Sequence, residues 1–199
     1  MLVAAFRHSP GTWDALDEAR VEVREALGED RTAFAALLPD RAGRADREGG
    51  AARVAGWIGA IAHGPALWEL HPLAVRPELQ GRGVGGVLVR RLEAAARAAG
   101  ACTLWLGADD DFGGTNLFGQ DLFPDVLGRL QGLAPRGRHP YRFYERLGFT
   151  VVGVLPDASG PGAHDILMAK RVSTGAVAEG PGAIRRPRVQ SEGGESPPS

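Results

Sequence analysis

Residues 67–92 constrain this chain more than any other stretch. They run Leu67-Trp-Glu-Leu-His-Pro-Leu-Ala-Val75, Arg-Pro-Glu-Leu-Gln80, Gly81-Arg-Gly-Val-Gly-Gly86 and Val87-Leu-Val-Arg-Arg-Leu92. The order reads as strand, short turn, glycine-rich loop and helix. Pro77 ends the strand, because it cannot donate to a ladder and biases Arg76 toward an extended conformation. From Val84, apolar residues at Val84, Val87, Leu88, Leu92, Ala95 and Ala99 follow a helical spacing, and Gly100 stands where a C-cap glycine belongs. Gly81, Gly83, Gly85 and Gly86 therefore fall at the first turn of a helix. Free backbone N–H groups and the positive end of the helix dipole meet there, and glycine lets an anion approach closely. Arg82 adds a fixed positive charge. The stretch predicts a phosphate cradle.

Gly81-x-Gly83-x-x-Gly86 also satisfies the dinucleotide pattern, but a lone match of that kind is weak. A Rossmann unit sets its glycines tight against the strand, with an acidic residue about 20 positions on. Here Arg76 to Gln80 intervene, no acid precedes Asp109 in the next strand, and a long βαβ series is missing. Leu73-Ala-Val-x-Pro77-x-x-Gln80-Gly-x-Gly83-x-Gly85 instead resembles the acetyl-CoA signature of the GNAT N-acetyltransferases. The resemblance implies that Gln80, Gly81, Arg82, Gly83, Val84, Gly85 and Gly86 bind the CoA pyrophosphate. It also implies that the backbone of Leu73, Ala74 and Val75 polarises the thioester carbonyl.

A second stretch, Arg142-Phe-Tyr-Glu-Arg-Leu-Gly-Phe149, resembles the family's helix-to-strand signature Phe-Tyr-x-x-x-Gly-Phe. In that family the tyrosine hydroxyl, here Tyr144, faces the CoA sulfur. A phenol titrates near 10 and a thiol near 8.5, so the phenol stays protonated and can donate. Gly137 occupies a position where the family often carries an asparagine. His139-Pro140-Tyr141 and the segments Val154–Asp157 and Asp165–Lys170 resemble sequences labelled aminoglycoside 6'-N-acetyltransferase within the family.

Amide formation from an amine and a thioester needs a neutral amine, a polarised carbonyl and a proton for the leaving thiolate. Glu69 and His71 lie two apart on the predicted strand, hence on one face, and either suits the first task. The resemblance places the family's base on this strand. A cluster of carboxylates, Asp109, Asp110, Asp111 and Asp121 with Asp125, falls in a long, irregular stretch from Asp109 to Gly137. Such excursions are usually functional, and this one would attract a polycationic amine. Its bland reading is a solvated, turn-forming loop.

In chain order, the sequence predicts a helix from Trp13 to Leu27 with Leu16, Ala19, Val23 and Leu27 on one apolar face and Glu22 on a wet one. Strands follow at 33–38, 54–61 and 102–107, with a polar loop over 39–50. Pro124 to Leu133 and Tyr141 to Leu147 read as short helices, 149–155 and 166–169 as strands, and 157–162 as a turn. The predicted fold class is α/β, with the family's mixed, splayed central sheet flanked by helices. Met1 to Phe6 resembles only the end of the family's first helix, so the first edge strand is expected to be missing or the start assigned late. The acetyltransferase domain is expected to cover residues 1–171, followed by a disordered tail from Val172 rich in Gly, Pro, Ser and Arg.

With 199 residues, 44% of them hydrophobic and a net charge of −1, the chain suits one core-forming domain and not a nucleic-acid binder. Cys102 is the only cysteine, which excludes a disulfide framework, and His8, His63 and His164 stand alone, so no metal site is expected. No apolar run is long enough to span a bilayer, and no signal peptide is present, so a cytoplasmic location is expected. The expected reaction is direct acetyl transfer from acetyl-CoA to a primary amine of a small polyamine or aminoglycoside-like molecule. Rival readings are a protein amine as acceptor, a non-catalytic acyl-CoA-binding module and, distantly, a nucleotide-dependent oxidoreductase. The expected partner is a small-molecule amine; a homodimer is compatible with such a chain, and neither nucleic acid nor membrane is expected.

Overall fold

The computed structural model describes residues 1–5, 15–38, 53–137 and 139–173. Trp13, the 39–50 loop, His8 and the tail beyond residue 173 lie outside them. Two helices, α1 (Leu2–Ala5) and α2 (Leu16–Glu25), precede strands β1 (Arg31–Leu38), β2 (Arg53–Ala62) and β3 (Leu67–Val75). The helix α3 (Val84–Ala98), strand β4 (Thr103–Asp110) and helices α4 (Val126–Gln131) and α5 (Pro140–Arg146) follow. Strands β5 (Thr150–Gly160) and β6 (Ala163–Arg171) close the fold. One mixed six-stranded sheet results, in the order β1-β2-β3-β4-β6-β5, with β3 and β4 its parallel pair.

The main core lies between this sheet and α3. Leu88, Val89, Leu92 and Ala96 form the buried face of α3 against Ile58, Leu70, Leu104, Leu106, Ile166 and Met168. Burying side chains of this size is worth roughly 1.5–3 kcal/mol each. Val87, expected on that face, is exposed. Val172, expected to open the tail, is buried in the same core, and its N–H donates to Cys102 C=O.

Three departures from expectation shape the molecule. First, β4 and β6 run longer than the sequence suggested, so Asp109 and Asp110 are strand residues and pair with Asp165 and His164. Asp and Gly are poor strand formers, and only the partner strand makes this extension favourable. Second, the inward face of α2 is Ala19, Glu22 and Ala26, while Leu16, Val23 and Leu27 are exposed. Third, β3 and β4 pair over only three residues, Leu67 to Glu69 against Thr103 to Trp105, and then part. Among the described residues, β3 from Leu70 to Val75 has no strand partner on that side. At the parting point β3 bulges: Ala60 pairs with Leu70 and Ile58 with Leu73, so Gly59 alone stands opposite His71 and Pro72. A Cβ on Gly59 would lie 2.5 Å from the His71 carbonyl oxygen, so only glycine fits.

Candidate active site

The glycine loop opens α3 as its sequence implies. A 3-10 turn over Pro77–Leu79 ends at the extended Gln80, whose Nε2 donates to Val75 C=O at 3.3 Å and ties the loop to β3. Gly81 and Gly83 take φ of +73° and +87°, a left-handed backbone that favours glycine. Gly83 is the N-cap and provides no side-chain cap. The first intrahelical bond runs from Val87 N–H to Gly83 C=O, so the amides of Val84, Gly85 and Gly86 precede it without an intrahelical acceptor. A Cβ built on Gly81 or Gly83 meets nothing within 4 Å, which leaves open space before three donors, with Arg82 exposed beside it. A pyrophosphate fits this cradle. The unpaired edge of β3, carrying Leu73, Ala74 and Val75, leads from it to the gap between β3 and β4.

On the far side of that gap, α5 carries Tyr144 into the core, edge-on to Phe143 and Phe149. Burial, and next the charge of Asp109, push its phenol well above the ordinary range, so it remains protonated. His139 fixes the start of this helix: its Nδ1 accepts from Tyr141 N–H, ahead of Pro140 in the first turn. Burial holds His139 below its ordinary pKa, although Asp110 opposes this. The neutral ring therefore carries its proton on Nε2, which lies 3.8 Å from Asp110 Oδ1.

The expected acidic cluster divides. Asp109 faces Asp165 across the β4–β6 pair and shares a hydrogen bond with it. Burial, then the charge of Asp165 and that bond, push Asp109 up to about 6. Burial also raises Asp165, with Asp111 adding to the effect, so the pair favours holding one proton between two carboxyls. Asp165 Oδ1 is buried without a hydrogen-bond partner among the described residues. Asp110, expected in the acceptor wall, is 1% exposed and accepts from Gly114 N–H, Thr115 N–H and the Thr115 hydroxyl. It anchors the loop, because strand alternation turns it away from Asp109. Asp121, also expected in the wall, is exposed and accepts from Phe123 N–H in a local turn. Asp125 likewise caps α4 through Gly128 N–H.

Glu69 and His71 have different neighbours. His63 Nε2 lies 2.7 Å from Glu69 Oε2, so His63 is not isolated as expected. His71 Nε2 lies 3.9 Å from Glu22 Oε2 of α2, and its positive form favours the charged form of Asp109. His164, the other supposed lone histidine, is buried and accepts from Asp157 N–H. No group of three or more metal-ligating side chains occurs among the described residues. No helix among them is long and apolar enough to cross a membrane. The sequence reading missed Asp165, Glu22 and His63. Asp165 carries no signal without the β4–β6 register, whereas Glu22 sits between Ala19 and Ala26 at the spacing of one helical face.

A sequence model described as the acetyltransferase (GNAT) family matches residues 10–118, more than half of the chain. This chain belongs to the GNAT family. It is thus an acetyltransferase, and its fold is that of enzymes that take their acetyl group from acetyl-CoA. Among solved structures it is similar to an aminoglycoside 6'-N-acetyltransferase complexed with coenzyme A, at 35% identity. That match covers 86% of this chain and 88% of the other, with a TM-score of 0.72. An aminoglycoside 6'-N-acetyltransferase from Enterococcus faecium matches at 35% identity and TM-score 0.70, again over 86% and 88% of the two chains. An aminoglycoside 6'-acetyltransferase type Ii matches at 32% identity over 86% and 84%, with a TM-score of 0.57. No curated protein sequence matches.

Proposed function

We propose that this GNAT enzyme acetylates a primary amine of a small, multiply charged acceptor, a polyamine or an aminoglycoside-like molecule. The observation that carries the acceptor class is the Asp109–Asp165 carboxyl pair, held on adjacent strands and electrostatically linked to both Tyr144 and His71. Similarity to aminoglycoside acetyltransferases at 35% identity supports the same class. Acetyl-CoA, when bound, supplies an activated acyl group as a thioester. The amides at the start of α3 hold its pyrophosphate, with Arg82 as a further cation, and the free edge of β3 aligns its extended arm. Backbone amides between Leu73 and Val75 polarise the carbonyl, and Tyr144 donates its proton to the departing sulfur. A basic side chain on β3, Glu69 or His71, removes the ammonium proton. Asp109 and Asp165, with Asp111 beside them, attract the acceptor's remaining positive charges.

Steady-state rates with spermidine, an aminoglycoside and a simple alkylamine at two salt concentrations test this reading. Multiply charged amines are expected to react faster, with an apparent affinity that weakens as salt screens the carboxylates. Equal rates for mono- and polyamines, insensitive to salt, would return the acidic residues to a structural role.

A further inference from the structure

Glu22 breaks the local rule of its helix. It is 8% exposed, whereas Leu16, Val23 and Leu27 of the same region are 60%, 47% and 82% exposed. Those three side chains line a hollow beside Leu2, Val3 and Trp57, whereas the Glu22 carboxylate is taken out of water, which costs free energy unless it is paired. Ala19 and Ala26 flank Glu22 on the inward face and are too short to extend beyond it. Glu22 Oε1 has no hydrogen-bond partner among the described residues, and Oε2 faces His71 Nε2 at 3.9 Å. Places where a sequence sacrifices local stability without local gain are commonly functional.

The geometry points to Glu22 as a positioning residue that holds His71 as the proton acceptor of the acetyl transfer; this rests on the transferase reading above. The His71 side chain meets α2 through this contact and is 42% exposed, so solvent reaches the ring. One N–H bond of the acceptor ammonium breaks and its proton passes to the His71 imidazole. The freed lone pair attacks the thioester carbonyl, the thiolate leaves with the Tyr144 proton, and the second N–H proton of the attacking nitrogen passes to the Tyr144 oxygen, which restores the phenol. The imidazolium thus formed lies against the Glu22 carboxylate, which gains no proton and balances the new charge. A contact of 3.9 Å is longer than a hydrogen bond, and catalytic contacts of this kind often tighten only when substrate is present. Three other titratable groups surround the pair. Asp109 of β4, with Asp165 behind it, faces His71, and Glu69 lies two residues along β3 with its Oε2 against His63. Glu69 therefore already has an ionic partner of its own, and His71 has Glu22.

Glu22→Gln preserves the shape and removes the charge. The expected result is a fall in kcat on the order of tenfold, below the 10²–10⁴ typical of an acid–base group itself, with the KM for acetyl-CoA unchanged. In a His71→Gln background the same change is expected to add less than about twofold, because two residues acting as one unit are not additive. A merely structural glutamate would instead lower stability and affect both backgrounds alike. Glu22→Met, which fills the site with an apolar side chain of similar length, serves where the glutamine variant folds poorly and is expected to give the same kcat loss. A Glu22→Gln enzyme as fast as the wild type, or a His71→Gln enzyme that retains full kcat, overturns this inference and leaves acetyl transfer standing. A wild-type protein that acetylates no amine overturns both.

Discussion

The two walls of the cleft are built in opposite ways. The proposed cofactor wall is contiguous: strand, turn, glycines and helix succeed one another from Leu67 to Ala98, and each is fixed by the residues beside it. The proposed acceptor wall is assembled from α2, β3, β4, β6 and α5, and its members Glu22, Asp109, Tyr144 and Asp165 lie far apart in the chain. A site made of one local segment tolerates change elsewhere, since its geometry depends on turn chemistry and a helix end. A site made of five elements depends on how each docks, so neighbouring residues in it can have unrelated tasks. Asp109 and Asp110 show this: one faces a second carboxyl and the cleft, the other ties down a loop.

Six substitutions test that contrast. The largest effect is expected where the walls meet. Tyr144→Phe is expected to lower kcat by about 10²–10⁴-fold while leaving acetyl-CoA affinity unchanged, as measured by steady-state kinetics and calorimetry. An unaltered rate under conditions where chemistry limits turnover would make Tyr144 a core residue. Gly83→Asp attacks the cofactor wall alone. The introduced carboxylate would occupy and repel the pyrophosphate site, which is expected to weaken acetyl-CoA binding roughly 100-fold, about 3 kcal/mol. Native affinity in a folded variant would remove the cradle from the cofactor site.

The neighbouring aspartates are expected to differ in sign. Asp110→Asn leaves buried donors poorly matched and is expected to destabilise the fold by about 2–3 kcal/mol. Asp109→Asn is expected to stabilise it at neutral pH by about 2 kcal/mol once solvent screening is allowed for. Asp109 rises from 3.8 to about 6 in the folded protein, so its protonated form is the favoured one there. Its stabilising contribution is complete below pH of about 4 and is lost as pH rises to about 6. Thermal melts of the wild type should therefore lose stability across that window, and melts of Asp109→Asn should lose less. Parallel curves for the two proteins would contradict the shared-proton pair. Smallest of all, Asp165→Asn is expected to reduce the preference for polyamines about fivefold, the equivalent of one partly exposed ion pair. Asp121→Asn is expected to change neither preference nor stability by more than about 0.5 kcal/mol. If both variants behave alike in a competition assay between spermidine and an alkylamine, Asp165 does not contribute to acceptor choice.

The cradle, the helix α3 and the α5 motif with Tyr144 were legible in the sequence because their signals are local. Pro77, the four loop glycines and Gly100 punctuate the chain, and a period of 3.6 marks the helix whatever it packs against. Other features followed from docking and pairing. The β4–β6 register sets Asp165 opposite Asp109, and extends β4 through two aspartates that strand propensity disfavours. Alternation along that extension then separates Asp109 from Asp110. The docking of α2 buries Glu22 between two alanines and sets Leu16, Val23 and Leu27 around a hollow beside Trp57, so the charged residue that the pattern assigns to the wet face is the one enclosed. Periodicity states that a helix has faces, but the surface it meets decides which face turns inward. By itself, the sequence determined the family, the glycine turn at the start of α3 and the helix that carries Tyr144. The tertiary structure decided which carboxylates face each other, which support a loop and which lies beside His71, because side-chain direction depends on register and docking, and neither is encoded in any one segment.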